Sequence, residues 1–226
     1  MSINISNSCT LAALDSAYKA TNPTSSNETR ESISLSCPEM QNKLVAWAGS
    51  NAGKLNAAQR IVDFIEGRKS DELDLSHLQL DSLPDIFDNS KFRLGLISIN
   101  LSHNQLQNFP ETLMNLVWVE RIDLSNNLIS ALPESIDQFM RLVTLNLSGN
   151  QLRSIPDSIG NCYRLRSLDL RNVNNLTSLP NSIIKLSGHC DIFLENSGIS
   201  AQELDRLRVI PQSLTPPALT PPGFRV

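Results

Sequence analysis

The stretch IDLSNNLISALP, residues 122–133, has near-copies at 99–110 (INLSHNQLQNFP) and 145–156 (LNLSGNQLRSIP), each displaced by 23 residues. A fixed period of this length belongs to architectures in which one unit is too small to bury its apolar face and must stack on its neighbours. Working outward, Leu75, Leu101, Leu124, Leu147, Leu170 and Leu194 occupy one position of successive units. About six units, the first and last irregular, therefore run from about residue 70 to residue 208.

The unit reads LxLxxNxLxxLPxxIxxLxxL, a pattern that resembles the leucine-rich repeat. The resemblance implies an α/β solenoid, a leucine-rich-repeat horseshoe with parallel strands on its concave face. Alternation at Ile122, Asp123 and Leu124 predicts a short strand with two side chains inward and one outward. Asn104, Asn127 and Asn150 fall one above another. In such repeats this residue points inward, where its amide satisfies backbone groups that would be costly to bury unpaired. Leu83-Pro84, Phe109-Pro110, Leu132-Pro133, Ile155-Pro156 and Leu179-Pro180 suit the turn onto the convex side, with Ile136 and Ile159 facing the core. All of these are scaffold.

Composition bounds the alternatives. With 40% hydrophobic residues in 226, supplied mostly by Leu and Ile, one main domain can bury a continuous core, and only 5% are aromatic. A formal charge of −4 and no basic block disfavour nucleic acid and anionic membranes as partners. No apolar run approaches the ~20 residues needed to span a bilayer. The start, MSINISNSCTLAALDSAYK, lacks the basic-then-apolar order of a secretory signal peptide. Cys9, Cys37, Cys162 and Cys190 show no paired spacing and read as free thiols. His77, His103 and His189 bring no ligand cluster with them, so neither a metal nor any other cofactor is expected; His77 and His103, equivalent in successive units, read as surface residues.

Four segments result. Residues 1–36, rich in Ser, Asn and Thr, carry too little apolar surface to fold alone and read as a disordered leader and candidate secretion signal. Residues 37–69 form a helical N-terminal cap. Ser36 and Glu39 make a capping box, a helix runs through PEMQNKLVAWAG, GSNAG breaks it, and a second helix in KLNAAQRIVDFIEG places Leu55, Ala58, Ile61, Val62 and Ile65 on one stripe before Gly67. Trp47, Ile61, Phe64 and Ile65 are expected to cover the open edge of the first unit. Residues 70–210 hold the repeats and end in a short helix from about Ser200; residues 211–226, with two LTPP copies, read as a Pro-rich tail or linker.

A Ser/Asn-rich leader, a Trp-containing helical cap ending in AAQRIVDFIEG, the run of repeats and a last unit FLENSGISAQELDRLR together resemble the N-terminal half of bacterial type III secreted effectors of the IpaH and SspH kind. In those proteins the repeats precede a novel E3 ubiquitin ligase domain. The resemblance implies secretion without a classical signal peptide, action in the host cytoplasm and a host protein as partner. The ligase chemistry of that kind uses Cys-x-Asp, which none of Cys9, Cys37, Cys162 or Cys190 supplies. The chain is therefore expected to be no enzyme, and in a longer parent to serve as the substrate-recognition part. Two alternatives stay open: a cytoplasmic scaffold, or an effector of the XopL kind with ligase activity of its own.

The residues flanking the strand leucines are expected to face the concave side. The middle lane reads Asp74, Asn100, Asp123, Asn146, Asp169 and Phe193; one flank reads Glu72, Ser98, Arg121, Thr144, Ser167 and Asp191; the other reads Ser76, Ser102, Ser125, Ser148, Arg171 and Glu195. Small serines let a partner approach, while Arg121 and Arg171, as isolated positive points, and Phe193 are anchor types. The expected assembly state is a monomer.

Overall fold

The computed structural model describes residues 38–67, 71–209 and 222–225. Six three-residue strands recur once per unit: β1 Glu72–Asp74, β2 Ser98–Asn100, β3 Arg121–Asp123, β4 Thr144–Asn146, β5 Ser167–Asp169 and β6 Asp191–Phe193. All pair parallel with their chain neighbours in one open sheet. The central residue of each strand, from Leu73 through Ile122 to Ile192, is buried, as is the leucine two positions on. Each such side chain, fully withdrawn from water, contributes about 1.5–3 kcal/mol, and only the stacking of units makes that burial possible.

The Asn ladder ties neighbouring units together. Asn127 Nδ2 donates to Leu101 O of the previous unit and to Leu124 O of its own, both at 3.0 Å, while Leu106 N donates to Asn127 Oδ1 at 3.1 Å. Asn104 and Asn150 make the same set of bonds one unit to either side. Backbone pairing continues past the short strands, and in these three units one buried amide satisfies groups that it leaves over. Pro110, Pro156 and Pro180, with φ of −71°, −69° and −66°, lead into 3₁₀ turns at Glu111–Asn115, Asp157–Asn161 and Asn181–Lys185. These turns form the convex side, with Ile136 and Ile159 fully buried beneath it.

Two helices precede β1: α1 Pro38–Ala48 and α2 Ala52–Ile65. Asn51 caps α2 by accepting from Lys54 N at 3.0 Å. The stripe Leu55, Ala58, Ile61, Val62 and Ile65 is buried, and Trp47 and Phe64 pack partly against the same core. Trp47 Nε1 donates to Ser82 Oγ at 3.3 Å, and Phe64 stacks on Phe92 with ring centroids 5.4 Å apart. At Gly53 a Cβ would fall 1.8 Å from Leu78 O, so only glycine lets α2 lie this close to the first unit. Ser36, the expected capping residue of α1, lies outside the described residues, as does the whole leader. The first unit turns through helix α3, Ser90–Gly95, and helix α4, Ala201–Val209, follows the last.

One element is new to the sequence reading. Gly223–Arg225, within the segment expected as a tail or linker, forms strand β7, parallel to β6 and seventh in the sheet. Its pairing joins residues more than thirty positions apart, and three residues behind a Pro-Pro pair carry no alternation to announce a strand.

Candidate protein-binding face

The pairing register aligns the expected residues into two lanes on the open side of the sheet. Glu72, Ser98, Arg121, Thr144, Ser167 and Asp191 stand side by side, as do Asp74, Asn100, Asp123, Asn146, Asp169 and Phe193, with a buried lane between. The third lane is recessed. Ser76, Ser102 and Ser125 are buried, so these serines offer a partner little surface, whereas Arg171 and Glu195, which continue the lane, emerge from it.

The middle lane is engaged with its own backbone. Asp74, Asn100, Asp123, Asn146 and Asp169 each accept, through Oδ1, the N–H two residues on, at 3.0, 3.0, 2.8, 3.1 and 3.0 Å. Asp and Asn alternate here because both present the same acceptor oxygen to the turn. Asn146 Nδ2 also donates to Asp123 Oδ2 at 3.1 Å. These residues form the floor of the face and hold its turns.

Neither arginine is the isolated positive point that the sequence predicts, because each is paired with a carboxylate. Arg121 reaches across the small Ser98 to Glu72, two strands away, at 2.9 Å. Both side chains are roughly half exposed, so the pair orients Arg121 more than it stabilises the fold. Arg171 forms a fork on Asp169, Nε donating to both carboxylate oxygens at 2.9 and 3.0 Å and Nη2 to Oδ2. Its guanidinium also lies 5.4 Å from the Phe193 ring centroid, and Nε is 4.0 Å from Glu195. The Asp169 hydrogen bond, then its charge, raises the Arg171 pKa further above its already high value. A cation, a half-buried ring and two carboxylates thus sit fixed at the C-terminal end of the face, a combination suited to anchoring a polypeptide.

After each strand the chain passes through the left-handed region: His77, His103, Asn126, Gly149, Asn172 and Asn196 have φ of 57°, 55°, 53°, 67°, 59° and 56°. Asn and Gly tolerate this conformation best, which accounts for their recurrence. His77 and His103 are exposed and stacked, centroids 4.2 Å apart, and Asn126 Nδ2 lies 3.3 Å from His103 Nε2. Among the described residues no group of three or more His, Cys, Asp or Glu could hold a metal, and no helix is long and apolar enough to cross a membrane. Cys162 and Cys190 are buried free thiols whose pKa burial pushes up to about 12, with Asp137 and Asp191 respectively adding to the shift. Cys9 and Cys37 lie outside the described residues.

A second set of exposed side chains escaped the sequence reading. Leu94, Trp118, Met140 and Tyr163 are exposed on the edge of the solenoid that leads into the strands, and Arg141 lies 5.0 Å over the Trp118 ring. Aligning the units on their leucines and reading the columns just ahead of the strands is the signal that finds them.

Residues 95–152 match the family model of the leucine rich repeat, and residues 141–185 match a model of two such repeats. The fold is a leucine-rich-repeat solenoid. Among solved structures, a leucine-rich-repeat protein of Leptospira interrogans is similar to this chain at 33% identity and TM-score 0.56, over 61% of this chain and 34% of that one. The solenoid thus spans about a third of that relative's length. The leucine-rich effector YopM of Yersinia pestis aligns over 71% of this chain and 48% of its own, at 24% identity and TM-score 0.52. A Shigella effector repeat domain aligns over 84% of this chain and 97% of its own, at 19% identity and TM-score 0.48. No curated protein sequence matches the chain.

Proposed function

We propose that the repeat domain binds a host protein through its concave face, as the recognition part of a secreted bacterial effector acting in the host cytoplasm. The observation that carries the reading is the cluster of Arg171, Asp169, Glu195 and Phe193, where the repeat departs from its small and self-bonded side chains. Arg121, oriented by Glu72, supplies a second fixed charge on the same face. The effector assignment draws on the order of leader, cap, repeats and last unit in the sequence. Association is the proposed mechanism: of the cysteines in the described residues, Cys162 and Cys190 are buried, which pushes both thiols up to about 12 and away from the thiolate that a transfer reaction needs. In a longer ligase the bound protein would be the substrate.

The test compares the full chain with a variant carrying Arg121→Glu, Arg171→Glu and Phe193→Ala as baits in host-cell lysate. A host protein retained by the wild type and lost from a variant that still melts cooperatively supports the reading. Equal retention by both, or none by either, removes the concave face from it.

A further inference from the structure

The chain's own tail shows what the last strand of the sheet accepts. β7 aligns Gly223, Phe224 and Arg225 with Asp191, Ile192 and Phe193 of β6. Gly223 N donates to Cys190 O at 2.9 Å, and Leu194 N donates to Arg225 O at 2.7 Å. Three side-chain positions then discriminate. Arg225 Nε donates to Asp191 Oδ1 at 3.0 Å. Phe224 is half-buried against the core. A Cβ at Gly223 would stand 3.0 Å from the same Asp191 oxygen, so a larger residue there would press on the carboxylate that holds Arg225.

We propose that the edge of β6 distal to β5 is a peptide-binding site for an extended partner segment reading glycine, aromatic, arginine, which the chain fills in cis with residues 223–225. Backbone pairing supplies the affinity and the three side-chain positions supply the choice, as in other cases of strand addition to an open edge. An unpaired edge invites such pairing, and a strand of only three residues covers it lightly. The ion pair holding it is exposed on both sides, at 62% and 44%, and is therefore weak. The strand belongs to the same chain as β6, so it competes with any partner segment as an intramolecular ligand. A partner segment competes once it outpairs three residues or the tail is released. The proposal stands on the strand pairing and is independent of the concave-face reading.

The experiment uses the isotope-labelled full chain and a synthetic peptide of residues 214–226, followed through the NMR amide signals of Asp191 to Leu194. In the Phe224→Ala, Arg225→Glu variant, whose own strand is released, the peptide should shift these signals saturably, at a concentration at least tenfold below that needed with the wild type. Peptides with valine at the glycine position or glutamate at the arginine position should bind at least tenfold more weakly. Should the double variant fail to melt cooperatively, Arg225→Glu alone serves with the same reading. In the wild type, the Gly223 and Leu194 amides should exchange with solvent faster than Leu147 and Leu170, reporting opening of the latch. No saturable shift in the released variant, equal binding of the altered peptides, or exchange at Gly223 as slow as at Leu147 would each overturn the proposal.

Discussion

Between Asn100 and Pro156 every unit copies its neighbour: Asn104, Asn127 and Asn150 bridge the backbone, and Asn100, Asp123 and Asn146 hold the turns. Beyond Asp169 the copying stops. Val173 stands, fully buried, where the Asn ladder would continue, Arg171 replaces the recessed serine, Phe193 replaces Asp or Asn, and β7 closes the sheet from the tail. The middle lane of the regular region is engaged with its own backbone and, Arg121 apart, offers a partner little beyond a smooth floor. The irregular end projects charge and an aromatic ring from the same frame. Departures from the repeat, rather than the repeat, are where recognition is expected.

That contrast can be broken in several ways, taken from the largest effect downward. Alkylation at pH 8, with Cys162 and Cys190 followed separately by peptide mass spectrometry, should run roughly 10³-fold slower in the folded chain than in denaturant. This follows because a thiol near 12 carries that much less thiolate than one near its ordinary ~8.5. Cys190, whose carbonyl accepts from β7, should react faster than Cys162, which lies inside the regular stack. The opposite order would mean that the C-terminal end is the tighter region.

Asn127→Ala should lower stability by about 3 kcal/mol, because it strands several buried backbone groups in two units at once. A thermal melt that moves by less than the equivalent of ~1 kcal/mol would show that the ladder is not what ties the middle together. Phe193→Ala with Arg171→Ala should change stability by less than about 1 kcal/mol yet weaken partner binding by about 2 kcal/mol or more, the scale of an interface anchor. Titration calorimetry and melting separate the two. Loss of fold without a specific loss of binding would make the cluster a structural element like those of the middle.

The smallest effect is electrostatic. Glu203 of α4 accepts from Arg206 Nη2 at 2.7 Å and from Leu179 N at 3.1 Å, and the Arg206 hydrogen bond, ahead of the Leu179 one, holds its pKa below the ordinary carboxylate value. A depressed folded pKa contributes stability above the unfolded value that is lost as pH falls through the folded one. The wild type should therefore lose stability on acidification below about pH 5, and Glu203→Gln should flatten part of that slope. Melting series from pH 7 to pH 3 read this directly; parallel slopes would remove Glu203 from the C-terminal scaffold.

How much the sequence revealed follows the same division. The buried leucines, the Asn ladder and the lanes of the open face recur at a fixed spacing, so lining up copies places each of them. What escaped is what no single unit contains. The Arg121 to Glu72 pair spans two strands and depends on Ser98 being small between them. The self-bonding of Asp123 and its equivalents needs the turn geometry, although the alternation of Asp with Asn at one position hints at a shared acceptor role. β7 joins the tail to Asp191, a pairing that periodicity cannot announce.

Site-specific photo-crosslinking tests the concave-face claim most directly. A photoreactive residue at Ser167, beside the Arg171 and Phe193 cluster, should yield an adduct with the partner in host-cell lysate, while the same residue at the exposed convex Asp157 should yield none. Adducts from Asp157 with none from Ser167 would place the working surface on the other side of the solenoid.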